Sequence, residues 1–154
     1  MFETPMTVVG RIITDPRRRV VAGQEVISFR VASNSRRRTT EGAWEPGHSL
    51  YITVNCWGRL VTGVGAGLYK GAAVIAVGTV HTSEYEDKDG VPRSTLEMRA
   101  SAVGPDLARV IARIEQPPKP EGAAGAETDT GDRPGASEDA DGAGGGTEDL
   151  AVPA

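Results

Sequence analysis

The sequence predicts a mainly β domain: five or so curled strands, one short helix between the third and fourth of them, a long hairpin arm and a disordered tail. Three observations carry this. Apolar residues alternate with polar ones in short runs, the signature of half-buried strands. One stretch, Arg59–Lys70, breaks to a spacing of four, with Leu60, Val64 and Leu68 in register for a helix. After Gln116 the composition collapses to Gly, Ala, Pro, Glu and Asp, with Leu150 and Val152 the only large apolar residues. Such a segment cannot bury enough surface to offset its ordering entropy.

The elements follow in order. Met6–Ile13 reads as a strand whose Gly10 marks a bulge or bend where a sheet curls. Asp15-Pro16 turns the chain, and Arg17–Arg19 lead into a strand at Glu25–Ala32, with Ile27, Phe29 and Val31 on one face and Ser28, Arg30 and Ala32 on the other. Ser33–Gly47 is polar and rich in turn formers and is expected to be a long mobile loop carrying Trp44. Ser49–Trp57 is the next strand. The helix over Arg59–Lys70 contains Gly63, Gly65 and Gly67, each costing roughly 1 kcal/mol relative to Ala, so packing must hold it, and Gly71 ends it. Ala72–Val80 is a nearly continuous apolar strand, and His81–Ala100 a hairpin arm turning at Asp89-Gly90. Pro105–Gln116 places Leu107, Val110, Ile111 and Ile114 on one helical face, stopped by Pro117-Pro118. Strand, strand, loop, strand, helix, strand, hairpin is the layout of the OB-fold barrel.

The strand at Ser49–Trp57 holds the chemistry. Leu50, Ile52, Val54 and Cys56 form a plain core face, whereas Tyr51, Thr53, Asn55 and Trp57 put two large aromatics among small polar residues on the other. Aromatic rings on a strand beside basic loops make a stacking platform for unpaired bases, because every base has a π-face. The alternative is that Tyr51 and Trp57 cover a second small core or a subunit contact.

Charge sharpens the reading. The 154 residues have a net charge of −4. Residues 1–116 hold 15 Lys/Arg against 12 Asp/Glu, or +3, and all seven aromatics; residues 117–154 hold 2 against 9, or −7. The triplets Arg17–Arg19 and Arg36–Arg38 flank the predicted groove, as phosphate contacts would, although charge runs are also common as plain solvated surface. Trp44 either stacks on a base or tucks its loop against the barrel. Cys56 falls on the inward face and is expected to be an inert buried thiol; a disulfide across a two-fold axis is the other option. One cysteine with His48 and His81 builds no metal cage, and the GVGAG run lies in the helix without the Lys-Ser/Thr of a phosphate loop. No metal, cofactor or catalysis is expected. No apolar run is long enough to span a bilayer, and the N-terminus has no signal-peptide pattern, so a soluble, cytoplasmic, nucleoid-associated protein without membrane contact is expected.

Residues 6–104 resemble the bacterial single-stranded DNA-binding proteins through MTVVGRI, the Asp15-Pro16 turn, VISFRVAS, NCWGRL, LYKGAAVIAVGTV and YEDKDGVPRSTLEM, in order and at matching intervals. The resemblance implies an OB-fold domain over 1–104, a homotetramer, sequence-tolerant binding of single-stranded DNA in replication, recombination or repair, and no enzymatic activity. It places base-stacking aromatics at Tyr51, Trp57 and Tyr85, and a fourth stacking position at Arg36, where an arginine plane stands for a ring. Basic positions carry over as Arg19, Arg59, Lys70 and Arg93, with Arg36, Arg37 and Arg38 adding charge from the loop. Glu84, Glu86 and Asp87 stand where relatives are basic, which should weaken phosphate contact there. Residues 105–116 would add the amphipathic helix, docked on the barrel or a neighbouring subunit, and 117–154 the acidic tail. That tail ends EDLAVPA and not in the family's acidic Ile-Pro-Phe tip, so weak or no recruitment of repair enzymes is expected, as in a specialised paralogue. Two rival functions remain: an OB-fold adaptor for protein partners at the primosome, and an RNA-binding OB protein.

Overall fold

A computed structural model describes residues 2–116. Six strands and one helix run in the order β1 (Thr4–Ile12), β2 (Arg17–Val21), β3 (Gln24–Arg38), β4 (Trp44–Trp57), α1 (Arg59–Gly67), β5 (Ala73–Glu86) and β6 (Pro92–Pro105). They form one sheet, ordered β1-β5-β6-β4-β3-β2, that closes because β1 also pairs with β3. β1 runs antiparallel to β5 from Thr4 to Arg11, then hands over to β3 at Arg11 and Ile12. β4 and β6 meet in parallel at Thr53–Asn55, and the other neighbours are antiparallel. This is the expected OB-fold, mainly β with a single short helix.

The handover depends on Gly10. A Cβ there would run into the backbone carbonyl of Ala32, so no larger residue lets β1 pass this close to β3. Gly10 therefore marks a close approach and not a bulge, since its pairing with Val74 is regular.

The interior is what period-two reading predicts. Ile27, Phe29 and Val31 of β3 meet Ile52, Val54 and Cys56 of β4, with Val8, Ile12, Val74, Ala76 and Met98 filling the rest. Each fully buried aliphatic or phenyl side chain contributes about 1.5–3 kcal/mol by leaving water. Helix α1 closes one end with Val61 and Val64. It has no side-chain cap and stops at Gly67, with the Leu68 amide bonded to Val64 carbonyl, four residues before the stop expected at Gly71. Leu50, expected in the core face, is exposed, because it lies where β4 leaves the barrel.

Three expectations are corrected. Arg17–Val21 is a strand of its own, hairpinned to β3 through Ala22 and Gly23, both with positive φ as a two-residue turn requires. The helix therefore lies between the fourth and fifth strands. Ser33–Gly47 is not a loop but a two-stranded ribbon: β3 runs on to Arg38, β4 starts at Trp44, and only Thr39–Ala43 turn. Thr39 ties that turn, its backbone amide donating to Ala43 carbonyl and its hydroxyl accepting from the Ala43 amide. Both faces of the ribbon are wet, so no apolar alternation advertises it.

The helix expected over 105–116 does not form. β6 continues to Pro105, a single turn follows at Asp106–Arg109, and Val110–Gln116 has no regular structure. Leu107, Ile111 and Ile114 are exposed. A short helix rich in β-branched residues is marginal in water unless its apolar face is packed, and here Leu107, Ile111 and Ile114 are left exposed. The acidic tail expected over 117–154 lies outside the described residues.

Candidate nucleic-acid interface

Strand register decides which side chains share a surface. On β4, Tyr51, Thr53, Asn55 and Trp57 point away from the core, opposite Ala32, Arg30, Ser28 and Val26 of β3. Thr53 and Asn55 lie beside Glu97 and Arg99 of β6, which in turn oppose His81 and Thr79 of β5. Following β5 and β6 outwards, Ser83 pairs with Thr95 and Tyr85 with Arg93. Tyr51, Trp57 and Tyr85, expected from separate stretches, thus fall on one continuous sheet face. Tyr51 and Trp57 stand about 20 Å apart along β4.

The rings are open to solvent but not bare. Tyr51 is 49% exposed and Tyr85 54%. Arg30 sits over the Tyr51 ring at 5.7 Å from its centroid, and Arg99 over Trp57 at 5.9 Å. Each guanidinium faces the ring's negative face, which orients the aromatic. Trp57 is half-buried, and Val26, its cross-strand partner, is fully buried outside the main core cluster. Trp57 thus also covers a small apolar patch on this face, while Tyr51 and Tyr85 stay about half exposed.

Positive charge gathers along one edge. A groove is lined by Arg17, Arg18 and Arg19 of β2, Arg30 of β3 and Lys70 after α1, with Asp15 the single acid among them. The Arg17–Arg19 triplet and Lys70 were expected here; Arg30 enlarges the set, and Arg99 stands apart beside Trp57. Arg30 was legible as a residue of the polar face, but its place over Tyr51 depends on pairing that no single strand reveals.

The remaining expected residues divide. Arg36 and Trp44 line a shallow pocket along the β3–β4 ribbon. Between Asn34 and Arg36 the register shifts, β4 carrying one extra residue. That bulge brings Trp44 opposite Arg38 and Pro46 opposite Arg36, so Trp44 shares the face of the arginines. Arg37, on the other face, pairs with Glu45 at 3.3 Å, and Arg38 donates to Gly42 carbonyl. Arg59 is not in the groove; it lines a separate hollow with α1, Tyr69 and Val110–Arg113. Arg93 is held by Asp87 at 2.9 Å. Asp87 also accepts from the Val91 and Asp89 amides, and these donors hold its carboxyl below the usual carboxylate range. Glu84 and Glu86 lie on the opposite face of the arm from Tyr85, so they oppose a ligand on the platform less than their sequence positions imply.

Beneath the rings runs a polar chain. Ser28 Oγ donates to Asn55 Oδ1 at 2.6 Å, and Asn55 Nδ2 donates to Glu97 Oε2 at 3.1 Å. His81 Nε2 lies 3.8 Å from the same carboxylate oxygen. On the core side, Cys56 is fully buried and its thiol is pushed up to about 12 by desolvation. A thiol with no surface cannot meet its own copy across a two-fold axis.

Residues 4–106, from the start of β1 to one residue past the end of β6, match the single-strand binding protein family. The chain belongs to that family. It is 38% identical over 121 residues to the single-stranded DNA-binding protein of Corynebacterium glutamicum, covering 76% of this chain and 53% of that one. The chain spans little more than half the length of the first curated relatives it matches. Among solved structures, the second single-stranded DNA-binding protein of Mycobacterium smegmatis is 52% identical, with a TM-score of 0.57, covering 75% of this chain and all of that one. The small single-stranded DNA-binding protein of Streptomyces coelicolor gives a TM-score of 0.63 at 30% identity, covering 71% of this chain and all of that one. The family match stops at Asp106, where regular structure also ends.

Proposed function

We propose that this protein binds single-stranded DNA without strong sequence preference and has no catalytic role, coating unpaired strands during replication, recombination or repair. The observation that carries the reading is the single sheet face holding Tyr51, Trp57 and Tyr85, with Arg30 and Arg99 over two of the rings and a five-cation groove alongside. Bases stack on the rings while phosphates follow Arg17, Arg18, Arg19, Arg30 and Lys70. Arg36 and Trp44 extend the path along the β3–β4 ribbon, and Arg38 adds charge on the same face. Arg37, Arg59 and Arg93 contribute least, being paired with Glu45, turned to another hollow, and paired with Asp87.

The names of the family and of the relatives support the ligand class. Self-association as a homotetramer belongs to the same proposal, supported by Val9 and Ile75, a cross-strand pair exposed on the outer face of β1 and β5. Sedimentation equilibrium tests it.

The binding test uses the two tryptophans. Titration with an unstructured oligothymidylate should quench Trp57, and the affinity should fall with salt at about 0.7 log units per log unit for each phosphate contacted, or roughly 3.5 if all five groove cations engage. A flat salt response, or equal affinity for duplex, refutes the reading. Quenching by single-stranded RNA at equal affinity would favour an RNA-binding role.

A further inference from the structure

A carboxylate and a histidine lie together on the face that carries the aromatic rings. Glu97 is beside Thr53 of β4 and opposite His81 of β5, so it sits between the Tyr51 and Trp57 positions. Its side chain is 26% exposed, and Oε2 accepts from the buried Asn55, itself anchored by Ser28. The amide holds the carboxylate in place. His81 is open to water, its side chain 60% exposed, with Nε2 3.8 Å from that same oxygen. This is too long for a hydrogen bond but close enough for an ion pair. A neutral imidazole therefore gains little from Glu97, whereas a protonated one gains an opposite charge.

The charges around the pair come from four strands. β6 adds Arg93 and Arg99 on the same face, and β3 adds Arg30 beyond Thr53 of β4. Arg93 is already paired with Asp87. β1 reaches Thr4, opposite Val80, with the exposed Glu3 next in the chain. Among the described residues, Glu97 is the only acid paired with His81. While His81 is neutral, the middle of the platform thus carries one negative charge that repels phosphate. Once His81 holds a proton, that charge is cancelled. Histidine ordinarily makes this change at roughly pH 6.5.

We propose that His81 and Glu97 form a proton-operated switch on this face, in which protonation of His81 cancels the Glu97 charge and tightens the grip on single-stranded DNA. The proposal rests on the single-stranded DNA reading and adds a means of regulating the same site. Its sign follows from charge: a polyanion prefers the form with the extra proton, so affinity rises as pH falls. By reciprocity, the bound strand favours the proton, and binding takes protons up.

The test titrates a dye-labelled dT oligomer of about 16 nucleotides, an upper site size for one such domain. Anisotropy is read at low, fixed salt between about pH 8 and about pH 5.5, a range that brackets histidine titration. Thymine does not titrate there, so the response belongs to the protein. Cancelling a unit charge about 7 Å from a phosphate in water changes affinity about threefold. The wild-type chain should therefore bind about threefold more tightly at the acid end, and the step should shrink as salt is added. His81→Gln should remove the step, and His48→Gln, which takes away the chain's other histidine, should keep it. Glu97→Gln should already bind about threefold more tightly than wild type at the alkaline end, since removing the charge does what pairing it does. A wild-type affinity that is flat or falls in acid overturns the proposal. So does a step that survives His81→Gln or is lost with His48→Gln, and so does a Glu97→Gln variant no tighter than wild type at the alkaline end. Absence of binding at every pH would remove the single-stranded DNA reading itself, whereas tight binding that ignores pH removes only the switch.

Discussion

Tyr51 and Ile52 are neighbours in sequence that point to opposite sides of β4, one half exposed and one fully buried. Truncating each to Ala separates binding from folding with the least change of position. Tyr51→Ala removes a ring that stands in solvent under Arg30, so the fold loses one edge contact and one cation–π pair, together under about 1 kcal/mol. Base stacking on such a ring is worth about 1–3 kcal/mol, so affinity for single-stranded DNA should drop roughly 5- to 150-fold. Ile52→Ala empties a site packed on all sides and should cost about 2–5 kcal/mol of stability. At roughly 4 °C per kcal/mol for a domain of this size, that is a fall of about 8–20 °C in melting temperature. Ile52→Val, at about 0.5–1.5 kcal/mol, keeps the comparison open if the larger truncation does not fold. Affinity is read by tryptophan quenching well below each variant's melting point, and stability by circular dichroism. Tyr51→Ala with full affinity, or with a melting temperature lowered as far as that of Ile52→Ala, would refute the assignment of this face as the platform.

Gly10→Ala should destabilise by about 1–3 kcal/mol, since the new methyl meets the Ala32 carbonyl at the point where β1 closes the barrel; thermal melting reads it. Cys56, held at about 12, should resist alkylation at pH 8 until the domain unfolds, so labelling and denaturant unfolding should share one midpoint. The depressed carboxyl of Asp87 stabilises the β5–β6 turn above the ordinary aspartate pKa, and that contribution is lost as pH falls through its lower folded value. Protection of the Val91 amide, taken relative to the intrinsic exchange rate at each pH, should therefore fall in acid, and Asp87→Asn should leave protection low at every pH.

The sequence alone determined the barrel's inner face. Ile27, Phe29 and Val31, and Ile52, Val54 and Cys56, alternate with polar residues because one side of each strand must leave water, and period two records that directly. It also determined that Tyr51 and Trp57 share the other face. It failed where neither side is buried. The Arg17–Val21 strand and the outer β3–β4 ribbon are held by backbone pairing, which leaves no apolar alternation, and the Ala22-Gly23 turn was the one local sign of the first. At 105–116 the error ran the other way: Leu107, Val110, Ile111 and Ile114 have helical spacing, but spacing supplies no surface to pack against. Only the tertiary structure decided that Tyr85 joins the same sheet face, that Arg30 and Arg99 lie over the rings, that Arg59 does not reach the groove, and that Glu97 lies among the aromatics. Each of these depends on which residues face one another across paired strands, a register set by barrel closure over tens of residues and not by any local pattern.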